Sequence, residues 1–282
     1  MQMTLRKQRR LRWAGGIAMA LLALGVLGSA PALAGIATTK HNLGSAGTGA
    51  NKFSGTAEIC VFCHTPHGAD TTASVPLWNR TLATPASYST YNSLGTSSLN
   101  GATAPVGSVS LACLSCHDGT QAMNVMINTP GSGTAAGGVL PGVWTGVGTI
   151  AGIANIGKDL KNDHPIGIQY GGGMAAGGAY TQAAMAAGTF KDADFKGVSF
   201  ASLNGNPVWW VDTGAANATR EKTDMQLYTR TNVVALGAGG TLTGAQAFVE
   251  CASCHDPHTD VNPTFLRISN ASSAVCLACH IK

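Results

Sequence analysis

Four copies of one short pattern constrain the fold of this chain more than any other feature. The eight cysteines of the 282 residues form four pairs with two residues between the partners, and a histidine follows each pair directly. Thiols three positions apart project from one side of a single helical turn. The cysteines are Cys60, Cys63, Cys113, Cys116, Cys251, Cys254, Cys276 and Cys279, and the histidines are His64, His117, His255 and His280.

This C-x-x-C-H pattern is the attachment signature of c-type haem. The two thiols bond to one porphyrin, and the histidine supplies an axial ligand to the iron. We therefore predict four covalently bound haem c groups. Zinc sites and disulfides are the alternatives for paired cysteines. Neither requires a histidine after every pair, and chance would place all four with a probability on the order of 10⁻⁶.

The histidines outside the four motifs match the predicted irons in number. They are His41, His67, His164 and His258. The equal count predicts that two histidines ligate each iron. Methionine is the competing axial ligand, and Met123 and Met126 follow the second motif closely. A histidine/methionine site there is the alternative, although methionine is also a common filler of apolar cores.

The context of the spare histidines predicts where they bind. His67 and His258 each follow a proline just after a motif, in the segments CHTPH and CHDPH. The residue before a proline avoids helical dihedrals, so each histidine is expected to leave its own haem and reach a neighbouring one. We assign His67 to the second haem and His258 to the fourth. Asp163 precedes His164 and is expected to fix its tautomer.

Residues 1–34 have the features of a cleaved signal peptide. Five basic residues precede an apolar run from Ala14 to Leu27, and small residues end at Ala34. An uncleaved membrane anchor is the alternative. Cleavage leaves 12 basic against 13 acidic residues, which disfavours nucleic acid as a partner. We predict an exported protein without a membrane span after cleavage, located outside the cell or at its surface, or alternatively in the periplasm.

The composition predicts an irregular fold for residues 35–282. Glycine occurs 37 times and aromatic residues make up 6% of the chain, so a large apolar core is not expected. Residues from about 128 to 247 are rich in glycine and alanine and are expected to form loops. We predict one tetrahaem domain that is mostly coil, with short α-helices at the attachment sites, minimal β-structure and haems as the core. Short strands are expected at 166–170 and 207–211.

The motifs together resemble exported multihaem c-type cytochromes, and more narrowly the OmcE-type family that forms extracellular cytochrome nanowires. The resemblance covers Thr39–Leu43, Cys60–Gly68, Cys113–Thr120, Asp163–Gly167 and Cys251–His280. It implies a head-to-tail polymer of identical subunits in which His41 completes a haem of the neighbouring protomer. Ligation of a haem in its own chain is the alternative for His41. Redox proteins or extracellular acceptors are the other expected partners.

Irons with both axial positions filled by histidine indicate electron transfer rather than catalysis. An iron with two histidine ligands changes oxidation state without offering a position to substrate. The first hypothesis is therefore a subunit of a conductive extracellular filament, and the chain is not expected to be an enzyme. A monomeric periplasmic electron shuttle is the second hypothesis. A multihaem reductase is the third, and it would need one five-coordinate haem.

Overall fold

The computed structural model describes residues 35–96, 98–129, 142–146, 148–175, 180–215, 217, 219–230 and 245–281. The signal peptide predicted for residues 1–34 lies outside these ranges, as do parts of the glycine- and alanine-rich region. Residues Ile36–Lys282 form one compact unit. Among the described helices, none has the length and apolar character that crossing a bilayer requires.

A five-stranded antiparallel sheet contradicts the prediction of minimal β-structure. Its strands lie in the order β3-β7-β6-β5-β4, and a separate two-stranded sheet pairs β1 with β2. The strands are β1 (Lys52–Phe53), β2 (Trp144–Thr145), β3 (Ile168–Gln169), β4 (Ser199–Leu203), β5 (Asn206–Val211), β6 (Met225–Arg230) and β7 (Gln246–Val249). The short strands expected near 168 and 208 are among them. The composition misled because an average over the chain conceals a local enrichment, since Phe200, Trp209, Trp210, Tyr228 and Phe248 all lie in β4 to β7.

A tight turn joins β4 to β5. Leu203 pairs with Asn206, which leaves Asn204 and Gly205 as a two-residue loop. Both residues have positive φ, 51° and 78°, as a type I′ hairpin turn requires. The hairpin register also places Phe200 opposite Trp209, with 4.6 Å between the ring centroids. Cross-strand aromatic pairs of this kind stabilise antiparallel sheets.

The sheet has an apolar core made of side chains, which corrects the expectation that haems would form the core. Trp209 and Val211 of β5 pack with Met225 and Leu227 of β6 in one buried cluster. Buried residues of β7 and of the segments beside the sheet complete that cluster, and they are Tyr170, Met174, Tyr180, Met185, Phe190, Val198, Ala247 and Ala278. Ala278 belongs to the fourth attachment motif, so the sheet core also positions that motif.

Short helices occur at the attachment motifs. The α-helices are α1 (Ser108–His117), α2 (Gln182–Ala186), α3 (Cys251–Cys254) and α4 (Ala274–Cys279). The 3₁₀-helices are Gly35–Thr38, Cys60–Phe62, Pro85–Ser87, Tyr91–Leu94, Gly152–Ala154, Tyr170–Gly172, Pro263–Phe265 and Ala271–Ser273. Helix α2 lies in the glycine- and alanine-rich region, where loops were expected. Thr181 caps it by accepting a hydrogen bond from the Ala184 N–H, and Met185 anchors it in the sheet core.

Candidate haem-binding site

Each C-x-x-C-H motif lies on a helical turn that neighbouring elements hold in place. The first motif begins in a 3₁₀-helix, and the other three lie in α1, α3 and α4. Leu111 and Leu114 anchor α1 in a second apolar cluster, which also contains Trp78 and Tyr88. Helix α3 follows β7 directly, and Glu250 and Ser253 form a capping box at its start. The sheet therefore fixes where the third motif begins.

The thiols of the motifs form a continuous series in the order of the sequence. Burial, followed by the nearby Cys116, raises the pKa of the Cys63 thiol to about 12. The side chains of Cys113 and Cys251 lie close together, and their interaction raises the pKa of Cys113 and lowers that of Cys251. Burial raises the pKa of Cys279 to about 12, with nearby Cys254 adding to the shift. The first motif therefore lies near the second, the second contacts the third, and the third lies near the fourth.

None of the eight cysteines forms a disulfide. Among the described residues, no group of three or more cysteine, histidine, aspartate or glutamate side chains converges as it would around a zinc ion.

Three of the four motif histidines are oriented by backbone carbonyls. The Nδ1 atoms of His64, His117 and His255 donate to the carbonyl oxygens of Pro76, Ala154 and Thr264, at 2.7, 2.7 and 2.8 Å. A carbonyl oxygen only accepts hydrogen bonds, so the proton must be on Nδ1. This tautomer leaves the lone pair on Nε2, where an iron can bind it.

Three of the spare histidines are oriented in the same way. His41 Nδ1 donates to the Pro257 carbonyl oxygen at 2.9 Å, and His164 Nδ1 to that of Pro165 at 3.1 Å. His258 Nδ1 lies 3.2 Å from Asp256 Oδ1. The expectation that Asp163 fixes the tautomer of His164 is wrong, since Pro165 does so. Asp163 Oδ2 is buried, with no hydrogen-bond partner among the described residues.

Two pairs of imidazoles have a centroid separation that would fit an iron between them. The ring centroids are 6.4 Å apart for His64 and His258, and 6.2 Å apart for His41 and His117. Metal–nitrogen bonds of about 2.0 Å, with about 1.1 Å more from each nitrogen to its ring centre, give a centroid separation of about 6 Å.

His164 lies near the third and fourth motifs. Burial lowers its pKa, and the nearby His280 and His255 lower it further. His164 is therefore a candidate ligand for an iron at either motif. His67 is exposed, and within the described part of the chain neither His67 nor His280 has a hydrogen bond to a ring nitrogen. His280 instead packs against Phe195, with 4.3 Å between the ring centroids.

These two pairs differ from two ligand assignments made from the sequence. His258 was assigned to the fourth haem, but it lies near His64 of the first motif. His67 was assigned to the second haem, but the imidazole near His117 belongs to His41. Neither pair can be recognised from the sequence, because its two histidines are brought together only by the fold. The alternative ligand Met126 is buried in an apolar cluster with Leu43, Phe53 and Phe62.

A buried ion pair that the sequence did not reveal joins the second and third motifs. Glu250 Oε1 accepts a hydrogen bond from Arg230 Nη1 at 2.6 Å, and Glu250 Oε2 accepts one from Ser110 Oγ at 2.5 Å. Ser110 lies on α1, and its Oγ also accepts from the Cys251 N–H at 2.9 Å. Burial raises the pKa of Glu250, and Arg230 opposes that shift. The pair therefore fixes α1 against the start of α3.

Comparison with known proteins supports the assignment of these motifs. Residues 245–282 match the family model described as the doubled CXXCH motif. No curated protein is significantly similar to the chain. The matched segment holds the third and fourth motifs, whose thiols and histidines have the arrangement described above. The chain thus carries the paired haem-attachment motif of multihaem c-type cytochromes, which bind haem covalently and transfer electrons.

Proposed function

We propose that the chain transfers electrons through four covalently bound haems, each ligated by two histidines. The observation that carries this proposal is the two imidazole pairs, His64 with His258 and His41 with His117. A haem ligated in this way supplies one-electron transfer without an open coordination position. The polypeptide supplies the thiols, the orientation of the imidazoles and the spacing of the sites.

The remaining second ligands of the irons are proposed from the positions of the other two spare histidines, His164 and His67. His164 is the proposed second ligand at the third or fourth motif, because His255 and His280 are the histidines near it. His67 is the proposed ligand of the remaining site. The contact between Cys113 and Cys251 supports electron transfer along the chain in motif order, from the first site to the fourth.

Export and assembly into an extracellular filament are further parts of the proposal and rest on the resemblance of the motifs. The position of His41 favours a second candidate, the periplasmic shuttle. His41 lies near His117 of its own chain and stacks on Phe265, with 4.2 Å between the ring centroids. Thr39 and Asn42 on either side of it are buried. These contacts support ligation by His41 within its own chain, and a polymer would then need a different contact between subunits.

The experiment compares the exported protein with its His41→Ala variant. Intact mass should show four haems in both proteins. Ligation within the chain predicts high-spin iron at one haem of isolated variant subunits. Ligation across subunits predicts that the variant fails to form filaments in electron micrographs while its isolated subunits keep the parent spectrum. If the parent protein forms only discrete particles at every concentration, the proposal of a filament is wrong. Fewer than four haems per chain would contradict the main proposal.

Binding of small ligands tests the reductase alternative. Four irons that each have two histidine ligands have no open position, so carbon monoxide should leave the spectrum of the reduced parent protein unchanged. A carbon monoxide adduct of the untreated protein would instead favour a reductase with a five-coordinate haem.

A further inference from the structure

One of the proposed iron ligands has a charged hydrogen-bond partner. His258 Nδ1 lies 3.2 Å from Asp256 Oδ1, and the side chain of Asp256 is only 14% exposed. An imidazole that binds iron through Nε2 carries its proton on Nδ1, so His258 donates this hydrogen bond to the carboxylate. The same oxygen accepts a hydrogen bond from the His258 N–H at 3.0 Å, which holds the carboxylate beside the ring.

The other imidazoles with a hydrogen bond at Nδ1 have neutral partners. Backbone carbonyl oxygens accept from His41, His64, His117, His164 and His255. Among the described residues, His258 is the only histidine with a carboxylate within ion-pair distance. A carboxylate is a stronger acceptor than a carbonyl, and a stronger acceptor at Nδ1 makes the imidazole a more basic ligand.

Charges near the thiols do not distinguish the first motif. Burial raises the pKa values of three of the thiols, and one nearby cation opposes the rise at each. The pairs are Cys63 with the completely buried Arg80, Cys254 with Arg267, and Cys279 with Lys196. At the second motif, the nearby Glu250 is paired with Arg230. Within the described part of the chain, the carboxylate at a ligand imidazole is therefore what sets one site apart.

We propose that the Asp256 carboxylate, through His258, gives the haem at Cys60 and Cys63 the lowest reduction potential of the four. This inference rests on the proposed function, because it requires a haem at the first motif with His258 as a ligand. A more basic axial ligand stabilises Fe(III) relative to Fe(II), and hydrogen bonding to an axial ligand is one of the ways in which a protein sets a haem potential. Asp256 is a positioning residue, since it acts on the iron only through His258.

The order of the potentials gives electron transfer a direction. The first motif is at one end of the series of motifs, so the lowest potential is at that end. A one-electron donor protein reduces the first iron from Fe(III) to Fe(II). Each transfer then reoxidises that iron and reduces the next one, at a higher potential. Electrons therefore enter at the first motif and leave from the fourth.

Three variants separate the charge of Asp256 from its hydrogen bond. Asp256→Asn keeps an acceptor oxygen without the charge, and Asp256→Ala removes the acceptor. Asp260→Asn is the matched control, because Asp260 is an exposed acid of the same segment that has no ion pair with a histidine among the described residues. The readouts are the four haem potentials from a spectroelectrochemical titration and the low-spin g values in electron paramagnetic resonance spectra.

Asp256→Asn should raise the lowest of the four potentials by a tenfold change in its reduction equilibrium, which is about 59 mV for one electron. The g values of the same haem should shift. Asp256→Ala should raise that potential at least as far, and Asp260→Asn should change it much less. In the His258→Met variant, whose ligand has no N–H, Asp256→Asn should no longer shift the potential of the haem at the first motif.

An unchanged lowest potential in Asp256→Asn with four low-spin haems would overturn the inference, and so would a shift confined to a haem of higher potential. An equal shift in the His258→Met background would show that the carboxylate does not act through the imidazole, which would also overturn it. If Asp256→Ala does not fold, Asp256→Asn decides, since its amide oxygen can still accept from the His258 N–H. Absence of haem from Cys60 and Cys63 of the parent would instead refute the proposed function.

Discussion

His258→Ala should leave one haem per chain with a single protein ligand. The variant removes the imidazole whose ring centroid lies 6.4 Å from that of His64. The iron at the first motif is then expected to become high-spin at rest and to bind carbon monoxide when reduced. Low-temperature electron paramagnetic resonance and carbon monoxide titration measure the two effects.

Two controls distinguish lost ligation from general damage at the first motif. Added imidazole should restore the low-spin spectrum of His258→Ala, because the vacated position accepts a free ligand. His258→Met should remain six-coordinate and raise the potential of that haem, as methionine ligation does. An entirely low-spin spectrum for His258→Ala without added imidazole would show that the pairing with His64 is not a ligand pair.

Glu250→Ala should destabilise the protein by about 3–5 kcal/mol, the usual loss when one partner of a buried ion pair is removed. Arg230 would be left as a buried charge, since both side chains of the pair are almost completely excluded from solvent. Ser110 and the capping box of α3 would lose a partner at the same time. Urea denaturation of the holoprotein, followed by circular dichroism, measures the change in the free energy of unfolding.

The double variant Arg230→Met with Glu250→Leu is the matched control for the ion pair. Replacing a buried pair with apolar residues is often neutral, so the double variant should regain most of the stability that Glu250→Ala loses. Ser253→Ala removes a capping side chain and should cost only about 1 kcal/mol. If Glu250→Ala loses no more than Ser253→Ala, the ion pair does not hold α1 against α3 as the structure indicates.

The cofactor chemistry could be predicted from sequence because it is local. The two thiols and the imidazole of each motif lie within five consecutive residues, and their roles follow from that spacing. The pairing of the imidazoles could not be predicted, because His258 reaches His64 only through the whole fold. The buried states of Arg80 and Glu250 have no signature in the sequence either. Both depend on residues that approach from other segments.

The error about the fold has an identifiable cause. Averages over the chain concealed a local signal, since Asn204-Gly205 separates two segments rich in aromatic and branched residues. An Asn-Gly pair between two such segments predicts a hairpin, as is found for β4 and β5. The strands β6 and β7 join the same sheet through long-range pairing, for example of Tyr228 with Phe248. Such pairing is decided by packing across the sheet and is much harder to predict from local patterns.

The electron paramagnetic resonance spectrum of the fully oxidised parent protein tests the central claim most directly. If two histidines ligate each iron, the protein at rest should show low-spin ferric signals that account for four haems per chain, with no high-spin component. A high-spin signal equal to one haem or more at rest would contradict the proposal that every iron is saturated.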